Sequence, residues 1–260
     1  MKMVDLNCDM GESFGAWRMG QDEAVMPWIT SANVACGYHA GDPRTMDATV
    51  QRAAGLGIGV GAHPAFPDMV GFGRRNLALT PHEAYTDVLY QIGALYAFCL
   101  RHNVTLQHVK PHGQLNNLAL TDPDLAHAIA RAVKTFGSDL ILISYGGELT
   151  RQAQKLGVRI AVEAYADRAY RADGSLVPRS VAGSVLHEPQ LVADRAVAMV
   201  IEGRIPTVDG EDLRIRVDTL CVHGDTPGAA DLAKSLHEGL IAAGVAVRPL
   251  ADVMAERSDS

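Results

Sequence analysis

Four histidines, His39, His63, His112 and His223, sit directly behind short apolar runs, and Asp9, Glu12, Asp42, Lys110, Asp167, Arg168 and Asp225 hold equivalent places. Carboxylates beside imidazoles can take a proton from water near neutral pH, while lysine and arginine stabilise an oxyanion or a phosphoryl group. The set therefore supports activated-water or phosphate-assisted hydrolysis. Asp9 with His39 and His63 could also bind a divalent cation, because Asp/His/His ligation with open positions suits a metal that activates water. No H-x-x-E-H or H-E-x-x-H spacing accompanies that triad. His82, His102, His127, His187 and His237 fall in or beside helical stretches and read as solvated or capping residues.

Such a set needs a scaffold that gathers positions from residue 9 to residue 225. The stretch V-D-L-N-C-D-M-G-E-S-F-G starts it, a strand that delivers Asp9 and Glu12 on a turn containing Gly11. A short helix over 22–28 leads to a strand at 31–35, ending in C-G-Y-H-A-G-D. Asp42 caps the next helix, with Pro43 at its first position and a stop before Gly55 and Gly57. A strand at 59–62 ends in His63, and Thr80-Pro81-His82-Glu83 is a capping box for a helix running to about Arg101. Strands follow at 105–109, 140–143, 159–162 and 219–222, with helices between them. Thr121 is expected to cap the helix ending near Phe136, 208–217 reads as an inserted hairpin, and a strand at 246–249 precedes a frayed E-R-S-D-S tail.

Alternating strands and helices imply a parallel sheet. Reactive side chains follow six of the strands, and a closed barrel points all strand C-termini into one mouth. The expectation is an α/β, TIM-like (β/α) barrel formed by residues 1–260 as one domain. Gly57-Ile58-Gly59-Val60-Gly61-Ala62 fits a loose dinucleotide fingerprint, but it lies between helix and strand, the reverse of the required context. It reads as a helix stop followed by a tightly packed strand. There is no G-x-x-x-x-G-K-[ST] loop and no G-x-S-x-G elbow.

A net charge of -7 and the lack of a basic, aromatic-interleaved stretch argue against nucleic acid. No apolar run approaches the ~18 residues of a membrane span, and no signal-peptide core precedes Asp5, so the expected location is cytoplasmic. Cys8, Cys36, Cys99 and Cys221 form no C-x-x-C pair. Cys99 and Cys221 read as small buried hydrophobes, whereas Cys8 and Cys36 lie nearer the candidate site.

D-L-N-C-D-M-G-E-S-F-G, S-A-N-V-A-C-G-Y-H-A-G-D-P, G-A-H-P-A-F-P-D with G-F-G-R-R, V-K-P-H-G, A-D-R-A-Y with L-V-P-R, and C-V-H-G-D-T-P together resemble the LamB/YcsF family. The resemblance runs in order from Asp5 to Pro227. It implies a seven-stranded barrel of the glycoside hydrolase/deacetylase type, and ATP-dependent cleavage of the small lactam 5-oxoproline to glutamate. It also implies two partner subunits, B and C, and leaves open whether ATP binds here or on a partner. On that reading Lys110 and Arg168 hold phosphate or an oxyanion, and Asp9, Glu12, His39, His63 and His112 position and deprotonate water. Asp42, Asp167, His223 and Asp225 orient that set. Asn116 stands where the family carries an aromatic, and E-A-Y-A-D-R replaces E-V-F-A-D-R, changes that bear on substrate fit more than on reaction class. Two other readings stay open: a stand-alone metal-dependent carbohydrate deacetylase or glycosidase, and a non-catalytic component that presents substrate. The 5% aromatic content weighs against a sugar-stacking groove, and the many ionisable groups weigh against mere presentation of a neutral ring.

Overall fold

Asp5, Asn7 and Asp9 alternate along the first strand with Leu6, Cys8 and Met10. Successive strand residues face opposite sides, so this strand must bury one apolar and one polar face. A closed barrel does both. The computed structural model describes residues 1–222 and 228–258. Its elements are β1 (Met3–Met10), α1 (Asp22–Val25, extended by a 3-10 turn, Met26–Trp28), β2 (Ser31–Ala35), α2 (Pro43–Leu56), β3 (Gly59–His63), α3 (Pro81–Arg101) and β4 (Leu106–Val109). They continue as α4 (Gly113–Ala119), α5 (Pro123–Phe136), β5 (Ile141–Ser144), α6 (Gly147–Lys155), β6 (Arg159–Ala164) and α7 (Pro189–Ile201). The last are β7 (Arg204–Pro206), β8 (Asp212–Arg214), β9 (Thr219–Val222), α8 (Ala229–Ala242), β10 (Ala246–Val247) and α9 (Leu250–Ser258).

Strands β1 to β6 and then β9 pair in parallel, and β9 pairs back onto β1, closing a seven-stranded TIM-like barrel. β10 adds in parallel to the start of β1, while β7 and β8 form a separate antiparallel pair. Leu6, Cys8 and Met10 are buried in the apolar core that includes residues of the surrounding helices. The polar face looks inward. Asp5 accepts hydrogen bonds from Ser31 Oγ at 2.6 Å, Thr219 Oγ1 at 2.5 Å and Thr30 Oγ1 at 2.8 Å. Asn33 Nδ2 donates to Asn7 Oδ1 at 2.7 Å and to Asp9 Oδ1 at 2.8 Å, linking two levels of the barrel. Below this polar column, Leu250 and Met254 of α9 pack with Ile141, Ile143 and Ala161 and plug the floor. The expected frayed tail is therefore corrected as far as Ser258, because α9 has the barrel floor to cover.

A bulge shapes the interior. Leu106 pairs with Val60 and His108 with Gly61, so Gln107 is the extra residue on β4. Both Gln107 and His108 consequently turn inward, where Gln107 Nε2 donates to Ser31 Oγ at 2.8 Å and His108 Nε2 to Asn33 Oδ1 at 2.7 Å. Gly59 and Gly61 leave the room for them: a Cβ at either would collide with the Gln107 or His108 side chain. The glycine-rich stretch is thus a helix stop, with Gly57 at φ 68°, and a tightly packed strand, as the sequence predicts.

Most expected boundaries hold, including the Thr80–Glu83 capping box. Asp122, not Thr121, caps α5, accepting from the Asp124 and Leu125 amides at 2.9 and 3.1 Å. α4 is an addition to the expected elements, since its seven residues are too few to show a period. The hairpin pairs Arg204 with Arg214 rather than starting at Val208. Among the described residues no helix is long and apolar enough to cross a membrane.

Two outcomes test this interior. Gly61→Ala should destabilise the fold by about 1–3 kcal/mol in urea melts through overpacking against His108, although alanine ordinarily improves a strand glycine. Burial, reinforced by nearby Lys110, pushes His108 down to about 3. Between about pH 6.5 and pH 3 the unfolded chain then holds a proton that the folded one lacks, so stability falls as pH drops. His108→Gln should flatten that fall by ~1.4 kcal/mol per pH unit in this window. Asp5, raised by burial to about 6 from 3.8, has the opposite slope but is common to both proteins.

Candidate functional site

The C-terminal ends of β1 to β4 form one side of the barrel mouth. Asp9 is the penultimate residue of β1, and Glu12 follows across Gly11, whose φ of 67° makes the turn and whose amide donates to Asp22 Oδ2 at 2.8 Å. His39 sits in the turn after β2, His63 ends β3, Lys110 follows β4, and His112 precedes α4. His63 Nε2 lies 3.3 Å from Asp9 Oδ2 and 3.0 Å from His112 Nδ1. Glu12 Oε1 lies 3.1 Å from His39 Nε2 and 3.7 Å from His112 Nδ1. The His39 and His112 rings stack 3.8 Å apart at 7°.

The loop carrying G-F-G-R-R closes over this cluster. Asp68 anchors it by an ion pair with Arg75 and by accepting from the Gly71 amide at 2.9 Å. Phe72 adopts φ 54°, a conformation that a bulky residue holds only at a cost of about 1–3 kcal/mol. Its carbonyl accepts from His112 Nε2 at 2.9 Å, and its ring meets those of His39 and His112 edge-on. The Lys110 carbonyl likewise accepts from His63 Nδ1 at 2.7 Å.

Lys110 lies on the barrel axis. Its Nζ is 2.9 Å from Glu163 Oε1 and 3.1 Å from each of Asp9 Oδ1, Asn7 Oδ1 and Cys221 Sγ. An ammonium has three N–H groups, so these four acceptors saturate it. Burial opposes its charge, but Asp9, Cys221 and Glu163 hold it well above the ordinary lysine value. Burial alone would raise Asp9, yet His63 and Lys110 hold it well below the usual carboxylate range. Burial, with the neighbouring rings, pushes His39 well down and His112 to about 3. At neutral pH the site therefore presents an ionised Asp9 and neutral His39 and His112 imidazoles.

A cavity of about 370 Å³ opens against this site, and its lining includes Asp9, His63, Lys110, His112, Arg168 and Arg179. The Arg168 guanidinium donates to the Val177 and Ser184 carbonyls at 2.7 and 3.3 Å, in the loop that carries Arg179. Burial, then the like charge of Arg179, lowers its affinity for its own proton. Two guanidiniums on one wall make an anion-seeking surface.

The structure thus brings Asp9, Glu12, His39, His63, Lys110, His112 and Arg168 together. Asp42 stands apart: it caps α2 and accepts from the Gly15 amide at 2.8 Å. Asp167 is buried beside Arg168 and is not among the cavity's lining residues. His223 and Asp225 lie outside the described residues. Lys110, expected to grip an anion, lines the cavity with its Nζ shared among Glu163, Asp9, Asn7 and Cys221. Of the expected Asp9/His39/His63 metal triad, His39 and His63 gather with Glu12 and His112, and the ligand atoms of these four all lie within 4.8 Å of one another, while Asp9 lies beside His63. Cys221 is the small buried core residue that the sequence suggests and also borders the cavity, and burial keeps its thiol well above its ordinary value. Cys8 and Cys36, expected nearer the site, belong to the apolar core as well. Sequence reasoning misses Glu163, Asn7 and Asn33; the alternating D-L-N-C-D of β1 is the signal that could have found the first asparagine.

Comparison with known proteins gives this site a family. Residues 4–255 match the LamB/YcsF family. A Syntrophobacter fumaroxidans protein, named as the A subunit of 5-oxoprolinase, is 53% identical, covering 94% of this chain and 97% of its own. Its namesake from Pyrococcus furiosus is 48% identical over 96% and 98%. The crystal structure of a lactam utilization protein from Thermus thermophilus superposes with a TM-score of 0.92 at 48% identity, covering 95% of this chain and 99% of that one. A T48 deacetylase shares the fold at a TM-score of 0.53 and 13% identity, covering 98% and 92%. With nearly its whole length matched and the mouth motifs in place, the chain belongs to the LamB/YcsF family.

Proposed function

We propose that this chain is the lactam-cleaving component of a cytoplasmic 5-oxoprolinase that hydrolyses 5-oxo-L-proline to L-glutamate with ATP, acting with B and C subunits. The observation that carries the reading is that one cavity of about 370 Å³ is lined both by Asp9, His63 and His112 and by the guanidiniums of Arg74, Arg168 and Arg179. 5-Oxoproline has matching halves, a carboxylate and a lactam carbonyl. The carboxylate faces the guanidiniums. That leaves the carbonyl carbon toward Asp9 and the imidazoles, where a water can be oriented and relieved of a proton. The names of the full-length relatives support the same substrate.

The bond changes follow from amide chemistry. An amide is resonance-stabilised, so its oxygen is activated by accepting the γ-phosphoryl group of ATP, with release of ADP. Water oxygen then adds to the carbonyl carbon and the C–N bond breaks as the nitrogen takes up a proton, leaving an acyl phosphate, and a second water displaces phosphate with the former amide oxygen to give the carboxylate. Asp9 and the neutral imidazoles serve the water; Arg168 and Arg179 hold negative charge. The sequence carries no G-x-x-x-x-G-K-[ST] loop, so a nucleotide bound by this chain would use another kind of site.

The test is glutamate release from 5-oxoproline and ATP by this chain alone, the B and C subunits alone, and all three together. Activity is expected only in the mixture. His112→Ala and Asp9→Ala should each lower it by about 100-fold or more while leaving co-elution with the partners intact. Undiminished turnover in both variants would remove the site assignment. Inactivity of every combination of folded proteins would remove the substrate.

A further inference from the structure

Two backbone carbonyls decide where protons sit in the histidine cluster. A carbonyl only accepts, so His63 carries its proton on Nδ1, toward the Lys110 carbonyl at 2.7 Å, and His112 on Nε2, toward the Phe72 carbonyl at 2.9 Å. In the neutral rings the other nitrogens, His63 Nε2 and His112 Nδ1, are then both bare lone pairs, and they stand 3.0 Å apart. Glu12 Oε1 joins them at 3.7 Å from His112 Nδ1, and His39 Nε2 lies 3.1 Å beyond it. The stacked His39 and His112 rings cannot both carry charge at 3.8 Å without strong repulsion. A proton on His63 Nε2 would serve His112 Nδ1 and Asp9 Oδ2, at 3.3 Å, but neither Glu12 nor His39. A cation at the centre serves all four.

We propose that Glu12 Oε1, His39 Nε2, His63 Nε2 and His112 Nδ1 bind one divalent transition-metal ion of the zinc or cobalt type. Three imidazoles and one carboxylate are a nitrogen-rich set, which favours such ions over magnesium or calcium, whose ligands are oxygens. The surroundings fit as well as the donors. Metal-binding histidines almost always donate their second ring N–H to a carbonyl or carboxylate, which fixes the ring and raises its basicity. His63 and His112 do so, and the strained Phe72 backbone supplies one of the two carbonyls. Asp9 is the neighbouring carboxylate, engaged by Lys110 and Asn33. Bound here, the ion would supply Lewis acidity beside the cavity. The inference rests on the cluster and does not require 5-oxoproline.

The test uses the full chain, stripped with a chelator and titrated separately with Zn²⁺, Co²⁺ and Mg²⁺, with metal content measured after desalting and the Co²⁺ visible spectrum recorded. The expected result is one tightly held Zn²⁺ or Co²⁺ per chain, no retained Mg²⁺, and the intense cobalt bands of a nitrogen-rich site with few ligands. His63→Ala and His112→Ala should weaken binding by about 100-fold or more, and Glu12→Gln by about 10-fold or more, whereas exposed His127→Ala should bind as before. Folding of each variant is checked by circular dichroism; where one fails to fold, the wild-type cobalt spectrum decides. Binding that survives both histidine substitutions in folded protein, a cobalt spectrum like that of the hydrated ion, or uptake below about a tenth of an equivalent would overturn the site. Because no readout uses substrate, failure here and failure of the lactam reading are separable.

Discussion

A single ammonium group, Lys110 Nζ, holds the barrel interior together electrically. Asp9 and Glu163 reach the axis from different strands, and bringing two carboxylates into a space shielded from water costs several kcal/mol per charge unless each is paired. Lys110 lies within 3.1 Å of one and 2.9 Å of the other, while Asn7 links the same lysine to Glu163 through its own amide. Tyr165 completes Glu163 with a hydroxyl at 2.5 Å. The ion pair therefore needs three or four strands in register at once, which only closure of β9 onto β1 provides. Fold and site share one set of bonds.

That sharing explains how charge is arranged around the mouth. Lys110 is occupied by its carboxylate partners and its charge steadies Asp9, while the other cations lining the cavity are Arg74 and, on the loop after β6, Arg168 and Arg179. Arg168 is held by backbone carbonyls, and the neighbouring Asp167 carboxylate supports its charge against burial and Arg179. Burial keeps His39 and His112 neutral, so the histidine cluster offers lone pairs and carboxylate oxygens, with Arg74 nearby. A small ligand that is anionic at one end and electrophilic at the other meets both chemistries in one cavity.

How much of this is legible in the sequence depends on the range of the interaction involved. β2 and β9 are readable to the residue because each is a short apolar run bounded by turn signals. Asp9, Glu12, His39, His63 and His112 are readable as a group because a parallel barrel gathers residues that follow its strands. The Asp42 cap is also readable, but a cap and a site residue look alike when both follow a strand. The bulge at Gln107 is not, since its only trace is Gly59 and Gly61 on the facing strand. Nor is the Lys110–Glu163 pair, which depends on strand register. That the buried Cys221 also borders the cavity is hidden for a related reason: in a four-residue strand buried on both faces, composition does not say which side a residue takes.

The floor and the mouth are linked by the same argument of charge. A barrel whose interior holds Asp5, Asn7, Asn33, His108 and Glu163 would admit water from below if it were open, and solvent would weaken every ion pair above. Leu250 and Met254 close that end, packing on Ile141, Ile143 and Ala161. The apolar plug keeps the local dielectric low, so Asp9 stays ionised beside Lys110 while His108, fully buried below it, stays neutral. The last helix is thus part of the electrostatics of the mouth without approaching it, and the interior can be polar because its far end is dry.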